Sequence, residues 1–228
     1  MIPLDLADIR VTFPGLADPV LAIPSLAIAA GERVCVTGAS GSGKSTLVNL
    51  ITGLERSRHG RVRWGETDLA TLSEGRRDQW RAENVGLVMQ DFHLFPGLSA
   101  LENILLPARL ARAATPARIE RAGDLLRRFG LARPGQPIET MSRGEMQRVA
   151  VARALLRKPG VIVADEPTAS LDTESGAAVG DLLIEAATAE GSTLIVVSHD
   201  PRLIERIPRR IALSGGRVAA DNVETVAA

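Results

Sequence analysis

A single cysteine in 228 residues leaves no disulfide framework within the chain. Cys35 lies in the apolar run RVCVTG, where it reads as a small buried hydrophobe of a reducing compartment. Net charge is lacking as well: 27 basic residues balance 27 acidic ones, and the pI is near 6.9. That weighs against a protein holding nucleic acid through bulk charge, and no nucleic-acid partner is expected. No stretch of about 18 uncharged apolar residues occurs, so the chain is not expected to span a membrane. Asp5 and Asp8 break the first ten residues, where a secretory leader would be apolar. Internal repeats and low-complexity segments are missing too. What remains is an ordinary globular composition, 45% hydrophobic and 24% charged. The length suits one domain with a full core, or a core plus a small subdomain.

Turn signals and apolar runs divide the chain into an α/β pattern. Residues 8–13 and 19–28 read as strands separated by FPGLADP, ERVCVTG as a buried strand, and KSTLVNLITGL as the helix after it. GRVRW is a further short strand, 74–83 a short polar helix and VGLVM another buried strand. From about 98 to 158 strands give way to helical patterns at 99–112, 115–129 and 142–157. Pro116 behind Thr115 fits a capped helix start. Alternation then resumes with the strand GVIVAD, a helix at 173–190, the strand STLIVVSH and a short helix at 200–206. The hairpin RRIALSGGRVA, turning at Gly215–Gly216, follows. The pattern predicts an α/β core, 1–89 and 159–228, interrupted by a helical subdomain at 90–158.

GASGSGKS, residues 38–45, fits G-x-x-x-x-G-K-[ST] between a buried strand and a helix. In this pattern Gly38, Gly41 and Gly43 let the backbone N–H groups of the loop, Ala39, Ser40 and Ser42 included, turn inward onto phosphates. Lys44 reaches the β and γ phosphates, and Ser45 binds Mg²⁺. VIVADEP is a hydrophobic strand ending in two carboxylates. Asp165 would face the metal through water, and Glu166, one residue on, would orient or deprotonate the attacking water as general base. His199 ends the strand in VVSHD, and Gln90 follows VGLVM; ligands of open α/β sheets collect at such strand ends. Three strand ends and one P-loop are therefore expected to converge on one phosphate. A further anion-facing feature is MSRGEMQRVAVARALL, where Ser142 and Glu145 are spaced as a capping box at a helix N-terminus.

In this order the motifs resemble those of the ATP-binding cassette (ABC) ATPases, the nucleotide-binding subunits of transporters, over nearly the whole chain. The resemblance implies a P-loop NTPase core of ABC type with an N-terminal antiparallel β subdomain and a helical insert. It implies that Gly38 to Thr46 form the Walker A loop, Asp165 and Glu166 the Walker B pair, and Gln90 the Q-loop glutamine. MSRGE becomes the signature, SLD at 170–172 the D-loop and His199 the switch histidine. Catalytic roles then fall on Lys44, Gln90, Glu166 and His199, and Mg²⁺ ligation on Ser45, Gln90 and Asp165. Phe13 takes the adenine-stacking place where the family more often has tyrosine, a residue this chain lacks; a core aromatic is the other reading. The resemblance further implies a head-to-tail homodimer, or pseudo-symmetric pair, of cassettes with two ATP molecules between the chains. Ser142 and the Gly144 backbone of one chain would donate to the γ-phosphate held by the other, with Glu145 beside them in its capping box. The usual L-S-G-G-Q carries Arg143 for its first glycine and Glu145 for its glutamine. Arg143 either adds charge near phosphate or points into solvent.

The segment RRDQWRAENVGLVMQDFHLFPGLSALENILLPARL resembles its counterpart in bacterial ATPases of the lipoprotein-release, macrolide-export and cell-division type. The resemblance implies a cassette at the cytoplasmic face of the cell membrane, held there by integral membrane permease subunits that it drives mechanically. Regulation of cell-wall or cell-division machinery shares this chemistry. A soluble cassette acting on nucleic acid or ribosomes is disfavoured by the neutral charge and the single cassette. Phe92, Leu94, Phe95, Pro96 and Leu98 form an apolar cluster after Gln90. It is either a groove for a short helix of the membrane partner or packing of the helical insert.

Overall fold

The computed structural model describes residues 1–222. The expected core segment 159–228 therefore ends with six residues, 223–228, that lie outside the described ones. Two sheets stack. β1 (Leu4–Val11), β2 (Leu21–Ile28), β4 (Arg61–Trp64) and β5 (Thr67–Asp68) form an antiparallel sheet in the order β2-β1-β4-β5. β3 (Arg33–Thr37), β6 (Val85–Val88), β7 (Val161–Asp165), β8 (Thr193–Val197), β9 (Arg209–Ser214) and β10 (Arg217–Asp221) form the second, in the order β10-β9-β3-β8-β7-β6. It is parallel apart from the β9–β10 hairpin.

The central strands are apolar at nearly every position because each face meets a different core. Val161, Val163, Ile195 and Val197 point into the core shared with the antiparallel sheet and α1 (Lys44–Ile51). Ile162, Ala164, Leu194 and Val196 point into the helical side. Cys35 faces that second core, and burial pushes its thiol up to about 12, so it behaves as the expected inert hydrophobe. Trp64, fully buried, donates its indole N–H to the Ile51 carbonyl at 2.7 Å. That bond ties the antiparallel sheet to the helix behind the P-loop.

Between β6 and β7 come α3 (Ala100–Leu110), α4 (Pro116–Arg128) and α5 (Arg143–Leu155). Each begins where the sequence signals it. Ser99 and Glu102 close a capping box on α3, Thr115 caps α4 ahead of Pro116, and Ser142 and Glu145 close a capping box on α5. Helices α2 (Glu74–Asn84), α6 (Thr173–Glu190) and α7 (Pro201–Glu205) complete the fold.

Several details differ from the sequence reading, among them that β1 ends at Val11, β2 begins at Leu21 and α1 ends at Ile51. β1 begins at Leu4, four residues before the expected 8. Asp8 sits at φ 54 and is skipped in the pairing, Ala7 facing Ser25 and Ile9 facing Ile23, so the inward residues change phase there. The two-residue β5 and the 3₁₀ turn Leu69–Thr71 are too short for any period to register. Helix ends fall one or two residues inside the expected ranges at 99–112, 115–129 and 142–157.

Candidate active site

In the parallel sheet β3, β8, β7 and β6 lie side by side. Their C-terminal ends carry, in the same order, the P-loop, His199, Asp165–Glu166 and Gln90. Groups from the whole length of the chain therefore meet at one sheet edge. They line a cleft of about 590 Å³ together with Val20. Gly38, Ala39, Ser40, Gly41, Gly43, Lys44, Ser45 and Thr46 form one wall, and Gln90, Asp165, Glu166 and His199 the other.

The P-loop is built so that backbone faces the cleft. A Cβ at Gly38 would lie 2.5 Å from both Ser42 Oγ and the Leu213 carbonyl oxygen, so no side chain fits there. Ser42 is buried behind the loop, and its hydroxyl has no hydrogen-bond partner among the described residues. Gly43 starts α1 in the left-handed conformation, φ 100, with no side-chain cap. The first-turn N–H groups of α1 thus have no side-chain acceptor of their own, the arrangement that receives an anion. Lys44 Nζ donates to the carbonyls of Gly38 and Ala39 at 2.7 and 2.9 Å, which holds its charge over the loop.

Opposite, Glu166 adopts φ 47, a left-handed conformation rare for glutamate, fixed by its N–H donating to the Val197 carbonyl at 2.8 Å. Its Oε2 lies 2.8 Å from His199 Nδ1. With Nδ1 protonated this is a charge-assisted hydrogen bond; with Nδ1 bare, Oε2 has no donor among the described residues. The His199 side chain is 73% exposed and that of Glu166 15%, so the histidine is the solvent-facing half of the pair. Asp165 has its carboxyl pushed above the usual range, first by burial and then by Glu166, with Lys44 pulling the other way. Cation binding offsets such a cost by favouring the ionised form.

Besides buried Ser42, four sequence-predicted residues do not line the cleft. Ser142, Gly144 and Glu145 lie at the start of α5 and do not line the cleft. The Glu145 carboxylate accepts from the Ser142 N–H at 2.8 Å and from the Ser142 hydroxyl at 3.0 Å, and the backbone donor holds it below the usual carboxylate range. Phe13, 40% exposed in the loop after β1, does not line the cleft either, whereas Val20 at the far end of that loop does. The buried core reading of Phe13 is thereby excluded.

Sequence reasoning missed the residues that hold these parts in place. Buried Gln147 of α5 donates to the Pro167 carbonyl at 2.8 Å, just past Glu166. Arg153, whose guanidinium pKa burial lowers, donates to the carbonyls of Phe92 and His93 behind Gln90. Fully buried Asn103 accepts from the Phe95 N–H at 2.7 Å and donates to the carbonyls of Phe95, Leu98 and Ser99. The apolar cluster after Gln90 consequently divides. Phe92 is buried and Leu94 packs on the helical core, while Phe95, 55% exposed, faces outward.

Comparison with known proteins accounts for this set of parts. The family model described as ABC transporter matches residues 21–169. The chain belongs to the ABC transporter family. The cassette is 43% identical over 205 residues to the lipoprotein-releasing system ATP-binding protein LolD of Anaeromyxobacter dehalogenans, covering 89% of this chain and 86% of that one. It is 41% identical over 223 residues to the macrolide export ATP-binding/permease protein MacB of Rhodopseudomonas palustris, covering 96% of this chain but 34% of that longer protein. Among solved structures, a dimeric ATP-binding cassette in a post-hydrolysis state with ADP and Pi superposes with a TM-score of 0.86 at 33% identity, over 96% of this chain and 97% of that one. The cassette is accordingly an ATPase, the nucleotide-hydrolysing part of a transporter, and the cleft described above has the form that work requires.

Proposed function

We propose that this cassette powers a membrane partner mechanically, for export or for extraction of lipoprotein or lipid, through ATP-dependent pairing of two cassettes. The observation that supports this reading is the division of the site. Walker A, Walker B, Gln90 and His199 share one cleft, whereas Ser142 and Gly144, at an anion-suited helix start, lie outside it. A phosphate held in the cleft of one chain meets the signature turn only of another. In this reading Lys44 stabilises charge on the transferring phosphoryl group, Glu166 activates water, and His199 holds Glu166 and senses the γ-phosphate. Ser142, Gly144 and the Glu145 turn close the cage from the partner, and Phe13 swings in to stack on adenine.

Mg²⁺ fits the oxygen donors at the cleft: Ser45 at the first turn of α1, Gln90 after β6 and Asp165 at the end of β7. Bound there, it would neutralise β and γ phosphate charge, and the raised Asp165 would ionise fully against it.

Residues 90–158 act as a unit that carries the signature and presents Phe95 and Pro96 outward to the permease. No described helix is long and apolar enough to cross a membrane, so attachment to the cytoplasmic face runs through that partner. The test is co-isolation of the tagged cassette from membranes. An integral membrane protein should accompany it and raise its ATP turnover, and Phe95→Asp should lose both. Recovery of ribosomes or nucleic acid in place of a membrane protein would overturn the reading.

A further inference from the structure

The signature turn carries a long cationic side chain, Arg143, where the usual pattern has glycine. Its neighbour Gly144 faces α6 instead: a Cβ there would crowd Ser175, 3.0 Å from its Oγ and 3.2 Å from its Cβ. One residue earlier the side chain leaves α5 on the exposed side and finds two anchors. Nε donates to the Ser170 carbonyl at 2.9 Å. The guanidinium carbon lies 5.4 Å from the ring centroid of Phe92, within cation–π reach. It therefore neither stands free in solvent nor lies in the cleft of its own chain.

Both anchors belong to loops that serve the cleft. Ser170 lies between Glu166 and α6, and Phe92 lies two residues after Gln90. α5 already grips each loop once further along, through Gln147 at Pro167 and Arg153 at Phe92 and His93. Arg143 adds a second grip on both, beside Ser142. Phe92 stands at φ 51, a conformation that needs such support. We propose that Arg143 is a positioning residue that straps the signature turn to the Ser170 loop and to Phe92 of the same chain, so that all three move as one body when two cassettes close on ATP. The strap is an intrachain feature; its consequence for closure rests on the paired-cassette reading above.

Two measurements on the full-length protein test this. The first is hydrogen exchange of the nucleotide-free chain. The N–H groups of Ala169 and Leu171 donate within the Ser170 loop, to Glu166 and Thr168 carbonyls, and that of Phe92 donates to the Met89 carbonyl. Arg143→Met keeps the length and removes the charge, and these amides should exchange about tenfold faster. Arg143→Lys, which can still donate to Ser170 and sit over Phe92, should stay near the parent rate. The second is sedimentation with Mg-ATP in a Glu166→Gln background. Arg143→Met should raise the protein concentration needed for pairing about tenfold, leave binding of a fluorescent ATP analogue to the single chain unchanged, and be rescued by Arg143→Lys.

Unchanged exchange in Arg143→Met overturns the strap, and weakened pairing alongside it would mean that the arginine acts on the partner's phosphate instead. Faster exchange with unchanged pairing overturns the positioning role. Absence of pairing in Glu166→Gln itself overturns the paired-cassette reading, and the exchange result then judges the strap alone.

Discussion

Asp165 sets stability against function. Its carboxyl is raised by burial and by Glu166, so the folded chain holds this proton more tightly than the unfolded chain does. Between the unfolded and the raised folded value the native state binds more protons, and stability falls as pH rises through that window. The ionised form is a net cost to the fold that persists until a cation arrives. Asp165→Asn keeps the shape and removes the charge. It is expected to raise the melting temperature of the nucleotide-free protein, by about 2–4 °C for each kcal/mol of relief, and to remove most ATP turnover. Thermal unfolding at pH 7 and at pH 4 checks this: the gain over the parent should shrink toward the lower pH, as more of the parent carboxyl takes up its proton in the fold. A variant that is less stable than the parent at both pH values would show that Asp165 is already paid for by Lys44.

At the scale of elements, α5 and the loop before α3 show what the sequence discloses and what it hides. The start of α5 was legible because Ser142 and Glu145 form a local, fixed-spacing pattern, and the structure closes that box as expected. The P-loop, Walker B and His199 were legible for the same reason, each motif sitting at the end of a recognisable apolar strand. The supports were not. Arg153 reaches Phe92 across 61 positions and Gln147 reaches Pro167 across 20, and their partners are backbone carbonyls, which any residue supplies. Val20 carries no signal beyond being apolar. The anchors of Arg143 are hidden in the same way, because neither Ser170 nor Phe92 is near it in sequence.

Asn103 belongs to this hidden class and makes a quantitative case. Its side chain satisfies four backbone groups of residues 95–99 from a fully buried position. Asn103→Ala leaves the Phe95 N–H without an acceptor and takes one donor from three carbonyls that keep the backbone N–H groups of Leu98, Ile138 and residue 103, and a loss of about 1–3 kcal/mol is expected in urea denaturation. Because those residues form the outward-facing loop, the same variant should be cut faster by protease between Phe95 and Ser99. A loss of stability without faster cutting would mean that the loop is held by Phe92 and Leu94 alone.

For the whole molecule the question is which chain completes which site. Lys44 and Ser142 lie far apart in sequence, and Ser142 is outside the cleft that Lys44 lines. Consider a mixed dimer with Lys44→Ala in one chain and Ser142→Arg in the other. If each phosphate cage joins the cleft of one chain to the signature of its partner, both lesions fall in a single cage and the second cage is intact. With both substitutions in one chain against an unaltered partner, each cage receives one lesion. The first dimer is expected to retain one ATP and the second none. Mixed dimers isolated through two different tags, with Glu166→Gln in both chains to stop hydrolysis, allow bound nucleotide to be counted directly. Counting is a better readout than turnover, because two sites that fire only together would both fall silent in either arrangement. Retention of one ATP by the dimer with both lesions in one chain, and none by the other, would mean that the cage closes within a chain. α5 would then have to carry Ser142 into its own chain's cleft, against the grip of Gln147, Arg153 and Arg143 on the loops that flank it.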